Sequence, residues 1–238
     1  MRRFYSPMGA KPHGVPPLFT LLAGTLLLAL TLSACSITLP SVGVTQGSGT
    51  QKTETRSVSG FTGVTLSGIG TLNIKQTGTE SLTITTDDNI LPLLTSTVSG
   101  GVLSLGVKSA NIPRPTSGIT WNLTVKDLTH ITLSGAGNIN AQDLNATSLT
   151  SLLSGAGNLS IAGTAVSQTV TVSGAGSYKG RDLATTNTTV TISGAGSSIV
   201  SASGTLNATV SGAGSVTYYG TPQVISHVTG VGTVKQGS

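Results

Sequence analysis

The tetrapeptide Ser-Gly-Ala-Gly begins at Ser134, Ser154, Ser173, Ser193 and Ser211, at spacings of 20, 19, 20 and 18 residues. A degenerate copy, Thr229-Gly230-Val231-Gly232, follows 18 residues later, and Ser67-Gly68-Ile69-Gly70 is an earlier echo. Self-similarity at a period of this size marks a repeat architecture, in which each unit packs only on its neighbours. Aligned on the motif, the residue before the serine is always aliphatic: Leu133, Leu153, Val172, Ile192, Val210 and Val228. The residue before that is mostly polar (Thr132, Leu152, Thr171, Thr191, Thr209, His227). An apolar position recurs three past the alanine in Ile139, Leu159, Tyr178, Val216 and Val234, interrupted once by Ser198. This alternation with period two describes β-strands buried on one face, and no helical period competes with it.

One motif per turn, always in phase, predicts an all-β fold: a right-handed parallel β-helix, or β-solenoid, with rungs of about 19 residues. Glycine tolerates positive φ and close backbone approach. Gly-Ala-Gly is therefore expected to make a sharp bend with the alanine methyl turned into a slender interior. The motif serines, and Asn138, Asn158, Ser177, Ser197 and Ser215 after them, are expected to stack as polar ladders along the axis. The first half is less regular. Alternating segments around Val64–Ile74, Leu82–Ile84, Leu103–Val107 and Ile119–Val125 predict further strands, and 111–115 (Asn-Ile-Pro-Arg-Pro) reads as a loop. This part is expected to begin the solenoid and cap it. The resulting division is 1–34 export signal, 35–55 flexible tether, 56–128 N-terminal β part and 129–238 repeat solenoid.

The export signal is read from Arg2, Arg3 and Lys11, an uncharged Leu18–Leu32 stretch too short for a typical span, and the ending Leu32-Ser33-Ala34-Cys35. That ending resembles a bacterial lipobox, which makes Cys35 the lipid-attachment residue and new N-terminus. Cys35 is also the single cysteine, so no intrachain disulfide competes. Two or more acyl chains anchor a protein stably to a membrane. The expected location is the cell envelope, lipid-anchored to the membrane surface. Without residues 1–34, nine basic residues face seven acidic ones, scattered rather than striped, which argues against a nucleic-acid partner.

Arg56-Ser-Val-Ser-Gly60-Phe61-Thr-Gly-Val64, then Asp87-Asp88-Asn89-Ile90-Leu91, then the repeated Ser-Gly-Ala-Gly occur in order over about residues 55 to 236. In this the chain resembles the "putative auto-transporter adhesin, head GIN domain" family. The resemblance implies a β-helical, exported and often lipid-anchored protein, and it brings no catalytic residues with it.

Chemistry-bearing residues are sparse. Of the seven acids, Glu54, Glu80, Asp87, Asp88, Asp127, Asp143 and Asp182, only Asp87 and Asp88 adjoin, and neighbours on a strand face opposite ways. Asp143 and Asp182 fall two repeats apart. His130 and His227 lie about five rungs apart, too far to share a metal, and no Cys/His spacing suits one. The sequence therefore implies no enzyme activity, no cofactor and no metal site. Lys179, Arg181 and Asp182, next to Tyr178, form the densest charge cluster of the repeats. With Tyr218 and Tyr219 they are the candidate contact patch. The reading is a non-catalytic, adhesin-like surface module for a glycan, a cell or an envelope partner. The alternative is a structural spacer or envelope-stress component without a ligand, and more remotely a polysaccharide-acting β-helix enzyme. The outward Thr132, Thr171, Thr191 and Thr209 suggest an ice-binding face, but Leu152 and His227 interrupt the row and such a face needs two rows.

Overall fold

The computed structural model describes residues 43–108 and 111–238; residues 1–34, Cys35 and the start of the tether lie outside the described residues. Its strands are β1 (Gly43–Gln46), β2 (Gln51–Arg56), β3 (Gly63–Leu66), β4 (Thr71–Gln76), β5 (Ser81–Asp87), β6 (Leu94–Ser99), β7 (Val102–Val107), β8 (Asn111–Arg114) and β9 (Thr120–Val125). The repeat part adds β10 (His130–Leu133), β11 (Asn138–Leu153), β12 (Asn158–Val172), β13 (Ser177–Ile192), β14 (Ser197–Val210), β15 (Ser215–Tyr219), β16 (Gln223–Val228) and β17 (Thr233–Gln236).

The expected β-solenoid is present. Successive repeats pair in parallel, so Leu133, Leu153, Val172, Ile192, Val210 and Val228 stack into one column. All but the last are fully buried, whereas Val228, in the final rung, is 40% exposed. Asn138, Asn158, Ser177, Ser197 and Ser215 stack likewise. Asn158 donates to Asn138 at 2.9 Å and the Ser197 hydroxyl lies 3.1 Å from that of Ser177. The motif serines form a ladder through their backbone rather than their hydroxyls: each N–H donates to the carbonyl of the aliphatic residue one rung below, as in Ser154 to Leu133 at 3.0 Å.

The corner differs from expectation. Ala136, Ala156, Ala175, Ala195 and Ala213 are exposed, and Val231 is 86% exposed. The alanine methyl points to solvent, and the glycine after it (Gly137, Gly157, Gly176, Gly196, Gly214) is the buried member of the motif. None of these glycines has positive φ. Their need for hydrogen in place of a side chain comes from stacking. A Cβ on Gly157 would overlap the Gly137 carbonyl of the rung below and meet the Leu133 side chain at 2.9 Å. The bend is convex, so its middle residue has nowhere to point but outward.

The N-terminal part supplies the first rungs. β3, the 67–70 echo and β4 form a rung directly under β10 and β11, with Leu66 opposite Leu133 and Ile74 opposite Ala141. Beneath it lie β7 and β9, parallel to β3 and β4. The chain therefore lays down the second layer before the first, then steps over it to reach β10. Antiparallel strands close the edge: β6 on β7, β5 on β9, and β2 on β5. Phe61, Trp121 and a leucine-rich cluster fill this end. The boundary at 128/129 is thus a change of regularity within one continuous core.

Two segments assigned to loose chain are ordered. β1 at 43–46 and nearly all of β2 at 51–56 fall in the expected tether, and β8 occupies 111–114 of the expected loop. β1 pairs with β8 in a separate two-stranded sheet, an edge position where Pro113 is tolerated. β2 is held because Arg56 donates to the carbonyls of Leu91 and Leu94 at 2.9 Å each and pairs with Glu54 at 2.8 Å.

Candidate functional site

The motif Asp87-Asp88-Asn89, which sequence placed among possible acids, is a clasp. The fully buried Asp87 carboxylate accepts from the N–H groups of Gly49, Thr116 and Ser117 and from the Ser117 hydroxyl, at 2.7 to 3.2 Å. Burial pushes its pKa up, but the hydrogen bonds from Ser117, Thr116 and Gly49 outweigh that and hold it below the usual carboxylate range. Asp88 and Asn89 secure Ser48 in the same way. Glu80 accepts from Gly60 and Phe61 N–H, and Lys126 lies 3.7 Å away. These carboxylates fasten loops to the capped end.

The surface feature with room for a ligand is a groove of about 760 Å³ on the outer face of the sheet that contains β4, β9 and β11. Its floor is one row of outward residues, each opposite the next in register: Thr83, Asn122, Asn73, Asn140, Ser160, Lys179 and Ile199, on seven neighbouring strands from β5 to β14. At ~4.8 Å per strand the row is about 29 Å long. Asn140 donates to Asn73 at 3.2 Å, and Asn73 to Asn122 at 3.0 Å. This chain uses one amide proton per donor and leaves the rest of the amide edges open. A second row, Ser81, Thr124, Lys75 and Gln142, runs beside it.

The lip comes from irregularities in register. β11 carries one more residue than β12 between Ala141 and Leu144, and β13 carries one more than β12 around 181–182. Against β14, residues 181–183 of β13 have no partners at all. Such bulges push side chains out of the sheet plane. Asp143 adopts φ 58°, the left-handed region, and its carboxylate pairs with Lys75 at 3.3 Å. Arg181 leans over the Tyr219 ring, 4.2 Å from its centroid, two rungs away. Lys179, Arg181 and Asp182 all line the groove.

Four of the six candidate patch residues therefore come together: Lys179, Arg181, Asp182 and Tyr219. Two do not. Tyr178 is fully buried, its hydroxyl donating to Gln168 at 2.8 Å, because it occupies the inward position shared by Ile139 and Leu159. Tyr218, opposite the buried Val200, is half-buried and packs against the core. The Asn122–Asn73–Asn140 ladder escaped the sequence reading. Asn140, Ser160 and Lys179 share a repeat position, a legible signal, but Asn73 and Asn122 join only through the out-of-order stacking of β4 and β9.

His130 and His227 sit at exposed positions five rungs apart, and no cluster of metal-ligating side chains occurs among the described residues. A second outward threonine row exists in Thr150, Thr169 and Thr189, but it runs into Asn207 and Ile225, so only two rungs carry intact pairs. No helix among the described residues is long and apolar enough to cross a membrane.

These elements define a parallel β-solenoid, closed at one end by antiparallel strands, with a groove along one outer face. The chain belongs to the family described as "putative auto-transporter adhesin, head GIN domain", whose sequence model matches residues 60–222. Its structure is similar to a crystal structure of a "putative adhesin" from Bacteroides fragilis, with TM-score 0.69 and 24% identity over 81% of this chain and 99% of that one. A "putative adhesin" from Parabacteroides merdae matches with TM-score 0.54 at 21% identity, over 82% and 99% of the two chains. A "putative lipid binding protein" from Parabacteroides distasonis matches with TM-score 0.56 at 21% identity, over 82% and 100%. No curated protein matches the sequence. The family and these neighbours are described by binding and adhesion rather than by a reaction.

Proposed function

We propose that the protein is a non-catalytic, lipid-anchored module of the cell envelope whose groove binds a glycan chain lying along the solenoid axis. The observation that carries this reading is the amide ladder on the groove floor. A side-chain amide offers a donor and an acceptor in one plane, which suits the paired hydroxyls of a pyranose ring. Here the amides are already fixed by one another and by rigid strands, so little side-chain freedom remains to be lost on binding. A cavity of about 760 Å³ is within the range of ligand sites. The spacing of floor residues, ~4.8 Å per strand, is close to the length of one sugar unit in an extended chain. Aromatic anchors are few, so single-site affinity is expected in the range of about 1 µM to 1 mM. Display of many copies through the Cys35 lipid supplies avidity.

The test is a glycan array followed by calorimetry on protein produced from the full-length chain. Replacing Asn73 and Asn140 by alanine is expected to weaken binding, and Thr169→Ala, on another face, to leave it intact. Absence of any glycan bound would sink the reading and favour the ligand-free spacer.

A further inference from the structure

Resting on the glycan reading, we infer that the groove is selective for acidic glycans and binds a sugar carboxylate at the lip formed by Lys179 and Arg181. The groove is electrically uneven along its length. Over β5, β9, β4 and the start of β11 its floor is neutral: Thr83, Asn122, Asn73 and Asn140. Its one cation there, Lys75, is already matched by Asp143 at 3.3 Å. At the other end stand Lys179, Arg181 and Asp182, all exposed, and none of their side chains makes a salt bridge or hydrogen bond among the described residues. Two cations against one carboxylate leave that end with a surplus positive charge.

The geometry favours a planar anion. Arg181 stacks on Tyr219 at 4.2 Å from the ring centroid, which orients the guanidinium plane while leaving its N–H edge open. An open guanidinium edge is a two-pronged donor suited to a carboxylate, and Lys179 adds a point charge beside it. Asp182, the next residue of the bulge, is placed to accept from a ring hydroxyl. A uronate-containing chain would then lie with neutral hydroxyls on the amide ladder and a carboxylate at the lip. Sulfate or phosphate esters share the negative charge but not the planarity.

Matched pairs of oligosaccharides test this: oligomers containing galacturonate, glucuronate or mannuronate, each beside its methyl ester, titrated by calorimetry in calcium-free buffer. Sulfated and phosphorylated oligomers form a further arm. In at least one pair the free acid is expected to bind about tenfold tighter than its ester, a difference of ~1.4 kcal/mol. That preference should shrink between low and high salt. Lys179→Gln with Arg181→Gln should remove the preference, so that acid and ester bind alike, with little change in melting temperature, since both side chains are exposed. Asn73→Ala with Asn140→Ala should weaken acid and ester alike. Equal binding of acid and ester in every pair overturns the selectivity and leaves the glycan reading standing; stronger binding of sulfate or phosphate esters overturns the carboxylate assignment. No binding by any member overturns the glycan reading itself.

Discussion

Replacing Gly157 by alanine should cost far more than any change at its neighbour Ala156, although the sequence alone places the alanine methyl in the interior. The added methyl falls well inside the 3.0 Å that real Cβ atoms keep from backbone, because the Gly137 carbonyl of the rung below occupies the space. The two rungs must part at the corner by on the order of 1 Å, since close-packed interiors have no slack to absorb it. Three hydrogen bonds are set by that spacing: Ser154 to Leu133 at 3.0 Å, Ala156 to Gly135 at 3.3 Å, and the Asn158 side-chain amide to Asn138 at 2.9 Å. At ~1 kcal/mol each they account for about 3 kcal/mol, and overpacking adds at least about 1 kcal/mol. A loss of about 4 kcal/mol is a large part of the 5–15 kcal/mol typical of a folded domain. In a chain of this size it corresponds to a fall in Tm of roughly 8–16 °C. Ala156→Ser and Ala156→Lys, at an exposed convex position, should stay within about 0.5 kcal/mol of the parent. Urea denaturation and calorimetric melting of the three variants provide the comparison. A Gly157→Ala protein as stable as the parent, or an Ala156→Lys protein that loses several kcal/mol, would refute the account of the corner.

Two other sites give sharp expectations. Burial raises the Tyr178 pKa far above its ordinary value, so this phenol should stay protonated in the folded protein. Its contribution to stability is complete below the unfolded pKa of about 10 and is lost as pH rises above it. Spectrophotometric titration should show one tyrosine ionising only with unfolding. Tyr178→Phe leaves the buried Gln168 oxygen without its donor, and should cost about 1–3 kcal/mol in denaturant titrations. For Asp87 the sign is opposite. Its folded pKa is lowered, so its contribution is present above the unfolded value near 3.9 and fades as pH falls below it. Asp87→Asn should therefore lower the denaturation midpoint at pH 7 and converge with the parent in acid; a constant difference across that range would contradict the clasp.

The solenoid was legible because its determinants are local and repeated. The aliphatic residue before each serine and the apolar residue three past the alanine marked the inward columns, and the structure buries them in all but the last rung. The direction of the motif alanine was not legible. Whether a glycine serves positive φ or close stacking depends on what lies one rung away, which only the register reveals. Tyr178 misled for a related reason. An aromatic beside Lys179 looks like a surface anchor, yet its repeat position is that of Ile139 and Leu159 and already placed it inside. The groove was half visible: Lys179, Arg181 and Asp182 stand out as a charge cluster, whereas the amide floor depends on β9 and β4 meeting β11 out of chain order.

The last rung has an evolutionary corollary. β16 and β17 present Val224 and Val228 above them much as each earlier rung presents its aliphatic column to the next. Gene duplication of one repeat at that side would therefore meet a surface already shaped to receive it. The opposite end, locked by Arg56, Asp87 and the antiparallel strands, offers no such welcome. Length in relatives of this protein should accordingly vary at the carboxyl-terminal side, while the amino-terminal plug stays constant in size.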